Sequence, residues 1–544
     1  MPGHVGLFLL FLCFFISGAT ALIYEVVWLR MLGLVFGRTV YALTTVLGSL
    51  FFGRLTSRFS DPIRVYGRLE IGIGVFAAVI PVLLHLSTPI YIQLQRSLSL
   101  SYDAFSFVQF LITFVLLLVQ TTLMGGTLPI LSHALFEQTR DLGHTFGTLY
   151  AVNTAGAVLG VVLAGYFALP TFGNQITLAI AAIANVLAGV LVIAYAAKAK
   201  RGNLDVSSLA HAGSLSSLGA SSRAQRAASG GTYEPGVAVW LILMALSVSG
   251  AVSMLYEVAW TRALTLLIGS STYAFTSMLV AFLLGIALGS AVYTQALEKF
   301  LGGLRGLAVI QAAIGFAVLS TVVAFEQMPE WFLTAWAWSH SPAFMQWLQV
   351  VLSITVLLIP AMLIGATLPC ALSLLMAGEG RVGQRVGQAY AANTVGAVAG
   401  TIATGFLLVP TFGVHGAITL GIAINLLVGL TLFLVASRQN RMWRWSLTAV
   451  TLLLAVIVLA LPSWDRQLMS SGPAIYAQKY SGAAGGTGLR QKLSEENLLF
   501  YRDGISSTIS VHQNGQHLSL KINGKADAGT GIDMGTQLML AHPL

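Results

Sequence analysis

Long apolar runs alternate with short polar breaks along most of the chain, and the runs have the length that crosses a bilayer. Apolar stretches cover residues 6-29, 66-90, 105-131, 147-169 and 174-197, with a shorter one at 39-53 between Arg38 and Arg54. About 20 helical residues span the ~30 Å hydrocarbon core. From Lys198 to Pro235 the pattern changes to Ser, Ala and Gly with scattered basic residues, a composition that buries too little to fold and reads as a linker. Six more runs follow at 236-258, 271-294, 304-325, 344-371, 387-409 and 415-437, and a thirteenth at 445-462 precedes a polar tail. The pattern predicts an all-α polytopic membrane protein: a first six-helix unit at 1-197, the linker at 198-235, a second six-helix unit at 236-437, a further helix within 438-462 and a soluble tail at 463-544.

The second set of helices copies the first. Tyr24-Glu25-Val26-Val27-Trp28-Leu29-Arg30 returns 232 residues later as Tyr256-Glu257-Val258-Ala259-Trp260-Thr261-Arg262. Gly125 to Pro129 returns as Gly365 to Pro369, Asn153-Thr154-Ala155-Gly156 as Asn393-Thr394-Val395-Gly396, and Pro170-Thr171-Phe172-Gly173 as Pro410-Thr411-Phe412-Gly413, each 240 residues on. An even number of helices per copy makes the repeats parallel, related by an axis along the membrane normal. The change of offset places a deletion of about nine residues in the second helix of the first copy, where Leu47-Gly48-Ser49 stands against Leu279 to Ser290. That helix is about 23 Å long by its residue count, short of a full crossing.

Composition agrees with this pattern. The chain is 56% hydrophobic and 9% charged over 544 residues, against about 25% charged in a soluble domain. The net charge of +9 reports topology rather than a polyanion partner, so nucleic acid is not expected. Loops after even-numbered segments hold seventeen Lys/Arg, the alternate loops four (Arg30, Arg38, Arg96, Arg262) and the tail seven. By the positive-inside rule the N-terminus is cytoplasmic and the tail extracytoplasmic, in an inner or plasma membrane. The first helix has no small-residue cleavage site before its charged motif and reads as retained. Cys13 and Cys370 lie inside apolar runs, which argues against a disulfide or a thiolate metal site. No cofactor or metal is expected.

The repeated Tyr-Glu-x-x-Trp-x-Arg motif carries charge into apolar sequence, where an ionised side chain costs roughly 2.5 to 3.5 kcal/mol on insertion scales. In one reading Tyr24, Trp28, Tyr256 and Trp260 form an interfacial belt while Arg30 and Arg262 snorkel. In the other the motif lies in a bent or re-entrant element and Glu25 and Glu257 face a shared cavity suited to a small cationic ligand such as a polyamine. Asn153 and Asn393 read as interhelical hydrogen-bond partners or as ligands in that cavity. Gly156 and Gly160, with Gly396 and Gly400, are spaced for close helix packing. Gly125 to Pro129 and Gly365 to Pro369 predict kinks or broken helices. Gly53-Arg54-Leu55-Thr56-Ser57-Arg58 resembles a loop motif of major facilitator transporters, with Ser57 where that family has aspartate.

The tail predicts short strands at Leu498 to Gly504, Thr508 to Val511 and His517 to Gly524, an Asn514-Gly515 hairpin and a helix from Asp533 to Ala541. In this order it resembles the small N-terminal β-domain of spermidine synthases. With the duplicated membrane part, the whole chain resembles the fused membrane/spermidine synthase family. The resemblance implies an aminopropyltransferase whose nucleotide-binding domain would begin after His542-Pro543-Leu544 and is therefore expected to be lacking. It also implies matches at Asp533 and His542, and replacements of substrate-contacting glutamine, tyrosine and histidine by Ser507, Thr536 and Gln537. No catalytic residue is assigned on this basis. The expected function is a non-catalytic membrane module or subunit with a protein partner. The alternatives are an anchored aminopropyltransferase completed by a missing domain and a major-facilitator-like transporter of a small cationic solute.

Overall fold

The computed structural model describes residues 2-32, 51-52, 55, 58-98, 102-139, 142-201, 235-269, 272-375, 382-436, 441-480, 486-531 and 534-541. Twelve of its helices are long: α1 Pro2–Leu32, α2 Pro62–Leu98, α3 Tyr102–Thr139, α4 Leu142–Val162, α5 Leu169–Arg201, α6 Pro235–Ile268, α7 Thr272–Val292, α8 Gly303–Trp336, α9 Pro342–Leu375, α10 Val382–Ala403, α11 Val409–Ala436 and α12 Arg441–Leu459. Ten apolar spans fit a membrane among the described residues, so the protein is an integral membrane protein of helices. Two of the spans, Phe146–Lys198 and Gln384–Ala436, are 53 residues long, about 80 Å of helix and more than twice a hydrocarbon core. Each is long enough to cross twice and is broken in its middle. The expected short second helix and the linker lie almost wholly outside the described residues.

The breaks fall at the repeated Pro-Thr-Phe-Gly. Gly173 has φ 71° and Gly413 φ 74°, left-handed backbone that glycine adopts without a Cβ clash. A π-helical segment precedes each, at Leu163–Ala168 and Thr404–Leu408. The helices are not broken at Gly125 to Pro129 or Gly365 to Pro369, for α3 and α9 run through both prolines. Neighbouring helices satisfy or shield the freed backbone groups of such a proline within a bundle.

Small residues set the packing. Helix α1 lies on α4 and α6 on α10. A Cβ on Gly156 or Gly160 would collide with the backbone carbonyls of Phe15 or Ala19, and one on Gly396 or Gly400 with those of Ser247 or Ala251. The close-packing expectation for these glycines therefore matches the contacts. The halves meet through α4 against α7 and α3 against α10.

The tail begins with Trp464, buried and donating from Nε1 to Val322 O of α8 at 2.7 Å. Short helices α13 Arg466–Met469 and α14 Gly486–Leu493 lead into an antiparallel sheet in the order β1-β2-β3-β4: Asn497–Asp503, Thr508–Asn514, His517–Ile522 and Lys525–Gly529. The three expected strands are present. The fourth follows a turn through Asn523 and Gly524, both at positive φ, so the third strand ends before these residues rather than including them. Helix α15 Met534–Ala541 closes the described chain.

Candidate functional site

The Tyr-Glu-x-x-Trp motif lies within unbroken helix in both halves, so it is not re-entrant. Its aromatic rings are internal. Tyr24 stacks on Trp28 at 5.6 Å and Tyr256 on Trp260 at 5.3 Å, and the four side chains are at most 2% exposed. A belt facing lipid headgroups is excluded by that burial.

Each tyrosine reaches into a buried polar network. In the first half the Tyr24 hydroxyl donates to Asn185 Oδ1 at 3.3 Å, and Asn185 Nδ2 donates to Glu70 Oε2 at 2.5 Å. Glu70 is fully buried, with the hydroxyls of Ser17 and Tyr66 beside its carboxyl. In the second half Asn425 Nδ2 donates to the Tyr256 hydroxyl at 2.8 Å, Gln311 Nε2 donates to Ser249 Oγ at 3.2 Å, and Trp260 Nε1 donates to Thr321 Oγ1 at 3.3 Å. Asn425 answers to Asn185 and Ser249 to Ser17, so Gln311 stands where the first half has Glu70. These partners escaped the sequence reading. Asn185, Gln311 and Asn425 are isolated polar residues in apolar runs, and the 240-residue offset from Asn185 to Asn425 marks one pair.

Glu257 is 6% exposed and Glu25 half-buried, on helices α6 and α1, which lie in different halves. Asn153 Nδ2 donates to Phe14 O at 3.0 Å, an interhelical bond of the expected kind. Asn393 offers its backbone carbonyl at the closest approach to Gly250 on α6. Arg262 Nη2 donates to Ile505 O in the tail. The Arg30 side chain, Asp533 and His542 lie outside the described residues.

The tail is held to the second half through the Arg262 bond, the Trp464 bond, Asp503, a bond from Ala474 N to Leu267 O at 3.3 Å and the Arg490–Glu330 ion pair at 3.4 Å. The Asp503 carboxylate accepts from Val414 N at 3.2 Å, just past the break at Gly413. The other oxygen accepts from Thr508 Oγ1 at 2.6 Å and from the Tyr501 hydroxyl at 3.3 Å. Asp503 thus satisfies a backbone donor that the left-handed turn frees, as a helix cap does. At the corresponding Gly173 nothing approaches within 4 Å of where a Cβ would be.

A second polar cluster lies inside the tail. Glu496, 7% exposed, pairs with Lys479 and lies 3.6 Å from both Lys521 Nζ and His512 Nδ1. Burial opposes its charge, but Lys479 and Lys521 outweigh that and hold its carboxyl below the usual range. Burial, aided by Lys521, lowers His512 to about 4. His512 Nε2 is 3.2 Å from Ser470 Oγ, so Ser470, His512 and Glu496 line up in the order of a hydrolytic triad. Ser470 is nonetheless fully buried and its hydroxyl donates to Arg466 O at 2.6 Å, which keeps substrate out. The array ties α13 to the sheet. Among the described residues no group of His, Cys, Asp or Glu could hold a metal.

No protein-family model matches the chain. Over 259 residues it is 29% identical to polyamine aminopropyltransferase 2 of Streptomyces coelicolor, a stretch covering 45% of this chain and 43% of that protein. Over 201 residues it is 26% identical to polyamine aminopropyltransferase 1 of the same organism, covering 36% of each. The chain thus spans less than half the length of the curated relatives it matches. Among solved structures, the E. coli fucose:proton symporter FucP aligns with TM-score 0.44 and 13% identity, over 79% of this chain and 98% of that one. The E. coli xylose transporter XylE aligns with TM-score 0.44 and 14% identity, over 78% of this chain and 97% of that one. At that level of likeness, nothing about this chain follows from what those transporters carry. The findings define an integral membrane protein with a small extramembrane antiparallel sheet and partial similarity to polyamine aminopropyltransferases.

Proposed function

We propose that the chain is a membrane module of two parallel six-helix repeats that holds its extramembrane sheet in a fixed orientation and carries out no group transfer by itself. The observation that carries this reading is the attachment of the tail to the second repeat at several points, through Arg262, Asp503, Trp464, Ala474 and Arg490. A tail on a flexible tether would need no such bonds. The similarity to aminopropyltransferases supports a setting in polyamine chemistry, with a partner or further domain supplying the reagent site. Transfer of an aminopropyl group needs a positioned amine and a base, and Ser507, Thr536 and Gln537 stand where the spermidine synthase resemblance places substrate-contacting side chains.

Purified protein given putrescine and decarboxylated S-adenosylmethionine is expected to form no spermidine; formation at a steady rate would refute the reading. Co-purification of a stable protein partner from native membranes would strengthen it. In this proposal the N-terminus is cytoplasmic and the tail extracytoplasmic, in an inner or plasma membrane. A reporter fused after Leu544 that works only in the cytoplasm would overturn the orientation.

A second reading, passage of a small cationic solute such as a polyamine, is favoured by Glu25 and Glu257 on corresponding helices, with Glu257 buried. It requires uptake of labelled polyamine that falls at least tenfold in the Glu25→Gln, Glu257→Gln double variant; unchanged uptake discards it.

A further inference from the structure

The junction between the second half and the tail forms a cleft, bordered by the attachment residues Asp503 and Trp464 and separate from the buried networks. Its floor is the turn from Pro410 to His415 and its walls are Trp464 and strand β1, with Arg466 and Arg502 at its edge. The volume is about 220 Å³, several times the roughly 30 Å³ share of one water.

Its charge is unbalanced. Asp503 is the carboxylate lining it, and both of its oxygens are occupied by the donors of Val414, Thr508 and Tyr501. Arg466 and Arg502 are exposed and form no ion pair among the described residues. Arg466 lies over the Tyr501 ring, 5.6 Å from its centroid, which fixes the guanidinium near the cavity edge. His415 also lines the space, and its Nε2 is buried without a hydrogen-bond partner. The site therefore offers two guanidinium forks and an unused imidazole nitrogen, and the local acid is already saturated.

Position narrows the ligand further. Gly413 lies at the turn between two crossings, and α12 returns the chain to the same level just before Trp464. A turn between crossings sits at headgroup depth. Phe412 beside it is 64% exposed, an apolar ring that can rest against acyl chains. We propose that this cavity binds a phosphate-bearing anion through Arg466 and Arg502, in the form of an anionic lipid headgroup or of free phosphate. Arginine forks match phosphate oxygens in pairs. This inference is independent of whether the chain transfers aminopropyl groups or moves a solute.

The test uses the full-length protein in neutral detergent, followed by tryptophan fluorescence on heating. Three probes are added in turn: phosphatidylglycerol, phosphatidylcholine and inorganic phosphate. Phosphatidylglycerol is expected to raise Tm by about 2 °C, phosphatidylcholine not at all, and the Arg466→Gln, Arg502→Gln double variant is expected to lose the rise. A rise with phosphatidylglycerol alone identifies the lipid source, and one with inorganic phosphate at millimolar concentration the free anion. Arg502→Gln alone leaves the Arg466–Tyr501 contact in place and is expected to keep about half of the shift, so the test survives misfolding of the double variant. Equal shifts in wild type and variants, or no shift with either phosphate probe, would overturn the proposal.

Discussion

In the first half of the membrane part Asn185 joins Tyr24 to the carboxyl of Glu70; in the second, Asn425 bonds Tyr256 while Gln311 takes the place of Glu70 and donates to Ser249. The geometry is shared although the chemistry differs. Both halves also turn at a left-handed glycine between their last two helices, but among the described residues a tail carboxylate occupies the turn only at Gly413. The comparison separates the polar contacts that both halves of the helix bundle make from those that only one of them makes. Buried tyrosine, asparagine and serine positions fix helix register in both. Among the described residues, the bonds that clasp the tail come from the second half.

The most severe way to test that equivalence is at the helix contacts. Gly156→Leu and Gly396→Leu each drive a side chain into a facing backbone carbonyl, so both are expected to cost about 3 kcal/mol or more and to lower the yield of monodisperse protein to a similar extent. If only one does so, the halves are not packed alike. Next in size is Glu70→Leu, which strands the Asn185 amide and should cost about 2 kcal/mol. Glu70→Gln should change Tm by much less, because the second half already seats a glutamine there. A Glu70→Gln loss as large as that of Glu70→Leu would show that the carboxyl itself is required.

A pH test addresses the tail. His512 is lowered from 6.5 to about 4 in the folded protein, so the unfolded chain binds its proton first. Stability is therefore full above about pH 6.5 and falls as pH drops toward 4, by about 1 to 2 kcal/mol between pH 7 and pH 5. Glu496, held below its usual value, adds to the loss only at still lower pH, as its ionised form disappears. Hydrogen exchange should show the loss in β1 to β3 and not in α1 to α5, and His512→Gln should flatten it. The smallest expected effect sharpens the contrast at the breaks. Gly173→Ala and Gly413→Ala should each cost about 1 kcal/mol for left-handed backbone, but only the second should increase proteolysis of the tail, because only that turn carries Asp503.

Some of this was legible in the residues. Apolar run lengths set the membrane class and most of the helices, since a lipid core demands apolar helices of fixed length. The repeat offsets pointed to Gly156, Gly160, Gly396 and Gly400 as packing positions, and hairpin chemistry at Asn514-Gly515 placed β2 and β3. The sequence misled where a local signal competes with tertiary contacts. Pro129 and Pro369, read as kinks or breaks, lie within continuous helix, whereas the gaps between apolar runs at 170-173 and 410-414 coincide with the turns at Gly173 and Gly413, because neighbouring helices can absorb a proline but left-handed backbone needs glycine.

The networks were beyond reach for a different reason. Glu70, Asn185, Gln311 and Asn425 are single polar residues far apart in the chain, and nothing local distinguishes a polar side chain aimed at a partner from one aimed elsewhere. Likewise Arg262 reads as a snorkelling residue until the tail folds back to give it Ile505 O. By itself the sequence determined the membrane class, the recurring motifs and the strand pattern, which depend on composition and spacing. Tertiary structure decided which buried polar groups meet and which half carries the tail, because those outcomes depend on distances between residues that sequence order does not fix.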